Sequence, residues 1–282
     1  MAVNIIGYGY VGSAMAHLCE QNGIPYNVYD TEEKLGNFTY FHRLEDLVAH
    51  SEGTPGPNYY FIAVPTPSNI VGACDTSIVE NVLGQLHRLA ADAIVIIKST
   101  VEPGTCDKLH NKFKRDGFDI VFNPEYLTEK NYLYDIYDAK FVLLGSKDLN
   151  FCKFQMLLKL FRDLYAHNQQ IDIISKSYTE CELFKYTVNN FLAVKVWYFN
   201  KIYDTCDKFA IDYSSFKSLF ELEPRLGEYG TRVPGDHGRG YAGSCLRKEQ
   251  YGMIRLQEKL ELDNSVLTAM AAENETMRLL KK

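Results

Sequence analysis

Short runs of β-branched and aromatic residues recur through the first 175 positions, at 3–6, 26–29, 59–63, 94–97, 120–122, 141–144 and 171–174. Most are bounded by Gly, Pro, Asn or Asp, and between them apolar residues return every three or four positions. The runs are short enough for buried strands, and the intervening period is that of a helix. Strands alternating with helices predict an α/β fold: a doubly wound parallel sheet with helices on both faces.

Beyond residue 175 the strand signals stop. Ser177-Tyr178-Thr179-Glu180 has the spacing of a capping box, in which a hydroxyl and a carboxylate reciprocally satisfy the open N–H groups of a first helical turn. It predicts one long helix reaching as far as Ala210, followed by helices near 214–221, 247–260 and 264–280. Between them, 223–244 is rich in Gly and contains Pro224 and Pro234, which reads as a functional loop. Two domains are therefore expected: 1–175, and an all-α domain at 176–282.

Composition narrows the function. With 46% hydrophobic and 23% charged residues the chain can bury a sizeable core, and a net charge of −6 provides no broad positive field for nucleic acid or anionic lipid. The first residues lack a basic-then-apolar leader, and the most apolar stretches, such as 90–97, are too short to span a bilayer. Seven cysteines with no CxxC pair suggest a reducing, cytoplasmic setting. Six read as small buried hydrophobes; Cys245 stands apart.

Gly7-Tyr8-Gly9-Tyr10-Val11-Gly12 follows the first strand directly and opens a helix. Glycines there allow a tight turn and let a pyrophosphate approach the helix N-terminus. Asp30 ends the second strand, where a carboxylate accepts hydrogen bonds from ribose hydroxyls and repels a 2′-phosphate, so NAD is expected over NADP. Mere turn glycines and a strand-end acid are the plainer alternative.

Further along, Gly238-Arg239-Gly240-Tyr241-Ala242-Gly243-Ser244-Cys245 ends a glycine-rich loop at the expected start of a helix, a place that favours a thiolate, with Lys248 nearby. Lys185 and Asn189, four apart on the long helix, share a face and can donate to an oxyanion; a solvated pair is the bland alternative. Glu125 and Glu129 follow a strand at the edge where open α/β sheets bind ligands. Lys98-Ser99-Thr100 follows another strand, its hydroxyls suited to substrate, to an ordered water or to capping the next helix.

Together these motifs, in this order, resemble the UDP-glucose/GDP-mannose dehydrogenase family over nearly the whole chain. Val64-Pro65-Thr66-Pro67, Asp75-Thr76-Ser77-Ile78-Val79-Glu80 and Asn123-Pro124-Glu125-Tyr126-Leu127-Thr128-Glu129 belong to the same resemblance. It implies an N-terminal Rossmann-type domain and a helical central domain that pairs into a homodimer, with Trp197 and Tyr198 at the pairing surface or in the core. It also implies NAD held by Gly7, Gly9, Tyr10, Val11, Gly12, Asp30, Lys34, Val64, Pro65, Thr66, Ser99 and Thr100, and no metal.

The implied reaction is a twofold oxidation of a nucleotide sugar, UDP-glucose first among candidates, from C6 alcohol to carboxylate. Cys245 would form a thiohemiacetal and then a thioester. Lys185 and Asn189 would steady oxyanions, Glu125 and Thr100 would place water or move protons, and Glu129 would hold the sugar or the lysine. Tyr126, Leu127, Gly243, Arg225 and Arg232 would join the substrate site, with Arg239 a further candidate for phosphate. Each arginine reads equally well as a solvated loop charge.

Three departures from the family pattern stand out. Glu249 replaces the usual Asp four residues after the nucleophile, and Ala242 replaces the first of two glycines. The sequence also ends at Lys282, where the family continues into a second nucleotide-gripping α/β domain. That domain is expected to be absent or supplied by a partner. A two-electron hydroxy-acid dehydrogenase, which needs no thiol, and a noncatalytic NAD-binding protein are the competing readings.

Overall fold

The computed structural model describes residues 2–68, 72, 74–242 and 245–279. Two compact units emerge: residues 1–67 with 75–185, and residues 68–74 with 186–282.

The first unit contains eight strands: β1 (Ala2–Ile6), β2 (Tyr26–Tyr29), β3 (Thr39–Phe41), β4 (Asn58–Ile62), β5 (Ala93–Ile97), β6 (Phe118–Phe122), β7 (Phe141–Ser146) and β8 (Asp172–Lys176). Its helices are α1 (Tyr10–Gln21), α2 (Leu44–Glu52), α3 (Ser77–Leu89), α4 (Thr105–Phe113), α5 (Tyr132–Tyr137) and α6 (Phe151–Leu164). The long α7 (Tyr178–Lys208) starts here and continues into the second unit.

The strands lie in the order β3-β2-β1-β4-β5-β6-β7-β8. Connections run one way from β1 to β3 and the other way from β4 onward, so the winding reverses beside β1. That reversal leaves a crevice at the carboxyl ends of the strands, where open α/β sheets receive ligands. Side chains of β1, β4 and β5 alternate between two cores. Ile6, Tyr60, Ile62, Val95 and Ile97 join one; Val3, Ile5, Tyr59, Phe61, Ile94 and Ile96 join the other. Burial on both faces is why these strands read as unbroken apolar runs.

Two features correct the sequence-based expectation. β6 and β7 pair antiparallel, with Phe122 opposite Gly145, so the sheet is parallel only on either side of that junction. In addition, β3 is a three-residue strand paired with β2, too brief for an alternating pattern to declare it.

The capping box forms as expected. Ser177 N–H and Oγ donate to a Glu180 carboxylate oxygen at 3.0 and 2.6 Å, and Glu180 N–H donates to Ser177 Oγ at 3.3 Å.

In the second unit, α7 is followed by α8 (Tyr213–Lys217), a 3₁₀ turn (Ser218–Leu222), α9 (Leu246–Lys259) and α10 (Ser265–Leu279). Phe199, Cys206, Tyr213 and Val233 form its small core. Hydrogen bonds to carboxylates fasten α10 from two sides: Trp197 Nε1 donates to Glu273 at 2.7 Å, and Arg247 makes a two-pronged ionic contact with Glu275 at 2.8 and 2.9 Å. Trp197 is thus bonded within its own chain. Among the described residues, no helix is long and apolar enough to cross a membrane.

Candidate active site

The cofactor-binding candidates belong to the first unit. Gly7 turns the chain out of β1 at φ +91°, and a Cβ there would lie 2.5 Å from the Ala63 carbonyl oxygen, so only glycine fits. A Cβ on Gly12 would collide with the Gly7 carbonyl, which explains the second close approach. Gly9, the N-cap residue of α1, has open space where a side chain would stand. Tyr10 is exposed, Val11 half-buried and Gly12 buried. The loop therefore presents helical N–H groups to a pyrophosphate without obstruction.

Asp30 follows β2 and is tied to this loop. Its carboxylate accepts from Tyr8 N–H at 2.6 Å and from Glu32 N–H at 3.0 Å. A carboxylate so fixed can still accept from ribose hydroxyls and would oppose a 2′-phosphate. Lys34 is paired with Glu32 at 2.9 Å. Val64, Pro65 and Thr66 follow β4 and are stitched to the segment after β5: Thr66 Oγ1 donates to the Thr100 carbonyl at 2.8 Å, and Ser99 Oγ to the Val64 carbonyl at 2.7 Å. Ser99 is therefore not a helix cap. The α4 cap position is Gly104, and the buried Glu182 of α7 accepts from Gly104 N–H at 2.5 Å and Cys106 N–H at 2.7 Å.

A buried charge cluster lies at the ends of β5 and β6. Lys185 Nζ donates to the Glu125 carbonyl at 2.6 Å and to its carboxylate at 3.2 Å, while the other Glu125 oxygen accepts from Leu127 N–H at 2.7 Å. Burial alone would raise the Glu125 pKa. Lys185, Leu127 N–H and Lys98 outweigh it and hold Glu125 below the ordinary carboxylate range. The Lys185 ammonium also sits 5.3 Å from the centre of the Tyr126 ring. Lys98, at the end of β5, donates to Asn123 Oδ1 at 2.7 Å, and Asn123 Nδ2 donates to the Leu143 carbonyl at 2.9 Å. A cavity of about 320 Å³ opens here, with Lys98, Asn123, Glu125 and Asp135 in its wall. Glu129 lies exposed on the loop beyond.

The thiol belongs to the second unit. Cys245 is exposed and is the N-cap residue of α9, whose first turn includes Glu249. Glu249 is fully buried and accepts from Asn189 Nδ2 at 2.8 Å. The preceding loop is held by neutral amides. Asn274 on α10 accepts from Tyr241 N–H at 2.8 Å and donates to its carbonyl at 3.0 Å. Asn200 on α7 accepts from Gly240 N–H at 3.0 Å and Arg239 Nε at 2.7 Å, and Tyr241 Oη donates to Gln250.

Gly240 is needed as glycine: its φ is +71°, and a Cβ would come within 2.5 Å of Asn274 Oδ1. Ala242 is not among the described non-glycine residues with positive φ, so its methyl group is accommodated without that strain. Gly243 lies outside the described residues.

The three arginines separate. Arg239 is 5% exposed and bonded to Asp204 at 2.6 Å, a structural commitment. Arg225 and Arg232 are exposed beside Glu223 and Asp236, at 2.7 and 3.5 Å. Lys98, Asn123, Asn200 and Asn274 were not singled out from sequence for roles in the site. The only local signal was a lysine ending a wholly apolar strand.

Sequence comparison matches residues 43–168 to the NAD binding domain of the UDP-glucose/GDP-mannose dehydrogenase family, and residues 179–276 to its central domain. The chain belongs to that family. Its glycine turn lies ahead of the first matched range, so its assignment rests on the geometry above.

Bacillus subtilis YtcA is 30% identical over 222 residues, 77% of this chain and 50% of its own length. The Rickettsia bellii UDP-glucose 6-dehydrogenase is 26% identical over 297 residues, 97% of this chain and 67% of its own. The chain thus spans between half and two thirds of these relatives. A solved UDP-glucose dehydrogenase from Pyrobaculum islandicum shares the fold, with a TM-score of 0.79 at 24% identity over 98% of this chain and 68% of that one.

Proposed function

We propose that this member of the family is an NAD-dependent dehydrogenase that oxidises the C6 alcohol of UDP-glucose twice, to the carboxylate, through a covalent intermediate on Cys245. The observation that carries the reading is Cys245 itself, an exposed thiol at the N-cap of α9, with Glu249 in the same first turn bound to Asn189. Two-electron chemistry needs neither the thiol nor its clamped loop.

Two NAD molecules, bound in turn, would each accept one hydride, one for each oxidation. The Cys245 thiolate adds to the aldehyde carbon, forming a C–S bond and placing negative charge on the oxygen. Lys185 and Asn189, as ammonium and carboxamide donors, stabilise that charge. Oxidation of the resulting thiohemiacetal gives a thioester. A water ordered by Glu125 and Thr100 then adds to it, the C–S bond breaks, and the carboxylate and the thiol are released. Glu249 orients Asn189, and the exposed Arg225 and Arg232 offer contacts to the diphosphate. Glu129, Tyr126 and Leu127 line the sugar's approach.

Purified protein incubated with NAD and UDP-glucose should form two reduced cofactors per sugar acid. A ratio of one, without acid, would end the covalent scheme.

The chain is also proposed to pair with a second copy along α7. Phe184, Phe191 and Tyr198 recur every seven residues and are 43, 62 and 50% exposed, an apolar stripe of the kind that helix pairs bury. Phe191→Glu should leave a monomer in sedimentation experiments.

A further inference from the structure

The Lys98, Lys185 and Glu125 side chains occupy one buried region of the first unit. The lysines are 4% and 3% exposed, and Glu125 is half-buried by residue with its side chain only 11% accessible. Lys185 bonds Glu125 directly. Lys98 bonds the turn that carries it, through Asn123 Oδ1 at 2.7 Å and the Asn123 carbonyl at 3.4 Å. Asn123 is fixed in turn by its N–H to the Ile97 carbonyl at 2.9 Å and by its amide to β7. Two cations therefore act on one carboxylate, and Lys98 and Glu125 both reach the cavity wall.

We propose that Lys98 is a positioning residue for the reaction: it holds the Asn123–Glu125 turn against Lys185 and supplies a second buried positive charge that favours an anionic oxygen beside them. This rests on the reading of Lys185 and Glu125 as reaction groups.

The charge inventory around Lys98 is compact. Burial pushes its pKa down to about 8; Glu125 opposes that fall and Lys185 adds to it. Asp135, Asp138 and Lys140 share the cavity wall, and Asp135 is occupied by Thr128 N–H and Oγ1 at 2.7 and 2.6 Å. Removing the Lys98 charge relieves a like charge on Lys185 and removes an attraction on Glu125, so the pKa values of both should rise.

Three variants separate charge from hydrogen bonding. Lys98→Gln keeps a donor for Asn123 without charge, Lys98→Met loses both, and Lys98→Arg keeps the charge. The first readout needs no turnover: lysine Cε carbon-13 NMR titration, with the Lys185 signal identified by its loss in Lys185→Met. In Lys98→Gln and Lys98→Met the Lys185 midpoint should rise by about one pH unit, and Lys98→Arg should restore it. The second is the pH profile of cofactor reduction. Both limbs should move to higher pH in the uncharged variants, with kcat reduced about tenfold, less than for loss of a direct oxyanion donor.

An unmoved Lys185 midpoint in folded Lys98→Gln would overturn the inference, even if the wild type produces sugar acid. A shifted midpoint in a protein that produces none would show the Lys98–Lys185 coupling while removing the proposed function, and with it the role of Lys98 in the reaction.

Discussion

The candidate residues of the two units are held by different forces. In the first unit, Glu125 is bonded by Lys185 and a backbone N–H, with the charge of Lys98 acting on it as well. In the second, the loop leading to Cys245 is fixed mainly by Asn200, Asn274 and Gln250, amides with no charge to gain or lose, alongside one ion pair between Arg239 and Asp204. Charge gives a strong interaction that changes with pH, whereas an amide clamp gives the same geometry across the whole physiological range. The charged cluster of the first unit is thus built to respond to pH, and the amide clamp of the second is not.

The harshest challenge to this contrast is Cys245→Ser. Formation of sugar acid, followed by chromatography, should fall roughly a thousandfold or more, because the covalent branch is lost whatever the state of the charged cluster. Next comes Lys185→Met, which should lower kcat by about 10²–10³-fold and move the acid limb of the profile upward as Glu125 loses its principal counter-ion. If that limb stays fixed, Glu125 is not the group it reports.

On stability, Asn274→Ala strands the Tyr241 N–H and carbonyl inside the protein. At about 1–3 kcal/mol per buried group, the cost should be about 2–6 kcal/mol in denaturant unfolding, unchanged between pH 5 and 8.5. A pH-dependent cost would erase the distinction between the cluster and the clamp.

The smallest expected effects lie at the pH extremes. Glu125 has a depressed pKa in the folded state, so it contributes stability above its unfolded value of about 4.3, and that contribution is lost as pH falls through the folded value. Lys98 has the same sign in a more alkaline window. Its folded pKa of about 8 lies below an unfolded value near 10.4, so the unfolded chain binds more protons in that window and stability should rise with pH there. Unfolding titrations of the wild type should show the rise, and Lys98→Met should lack it.

Much of this was legible in sequence because the determinants were local. The turn at Gly7, the capping box at Ser177 and the helix start at Cys245 each depend on neighbours within a few positions. Arg239 could not be told from Arg225 and Arg232, since its partner Asp204 lies 35 positions earlier on α7. For the same reason Asn274 was invisible: its clamp joins α10 to a loop 33 residues away. The direction of β7 was equally hidden, because strands buried on both faces carry similar apolar runs whichever way they point.

Glu182 has a practical consequence for dissecting this molecule. Its carboxylate, fully buried in α7, closes the N-terminal turn of α4, which begins 77 positions earlier at Thr105. A fragment severed at residue 168, where the cofactor-domain match stops, would lack both β8 and that carboxylate. It would expose one margin of the sheet and leave two amides of α4 to water, so protease trimming toward a minimal dinucleotide-binding fragment should stall beyond Lys185 rather than at the limit of sequence similarity.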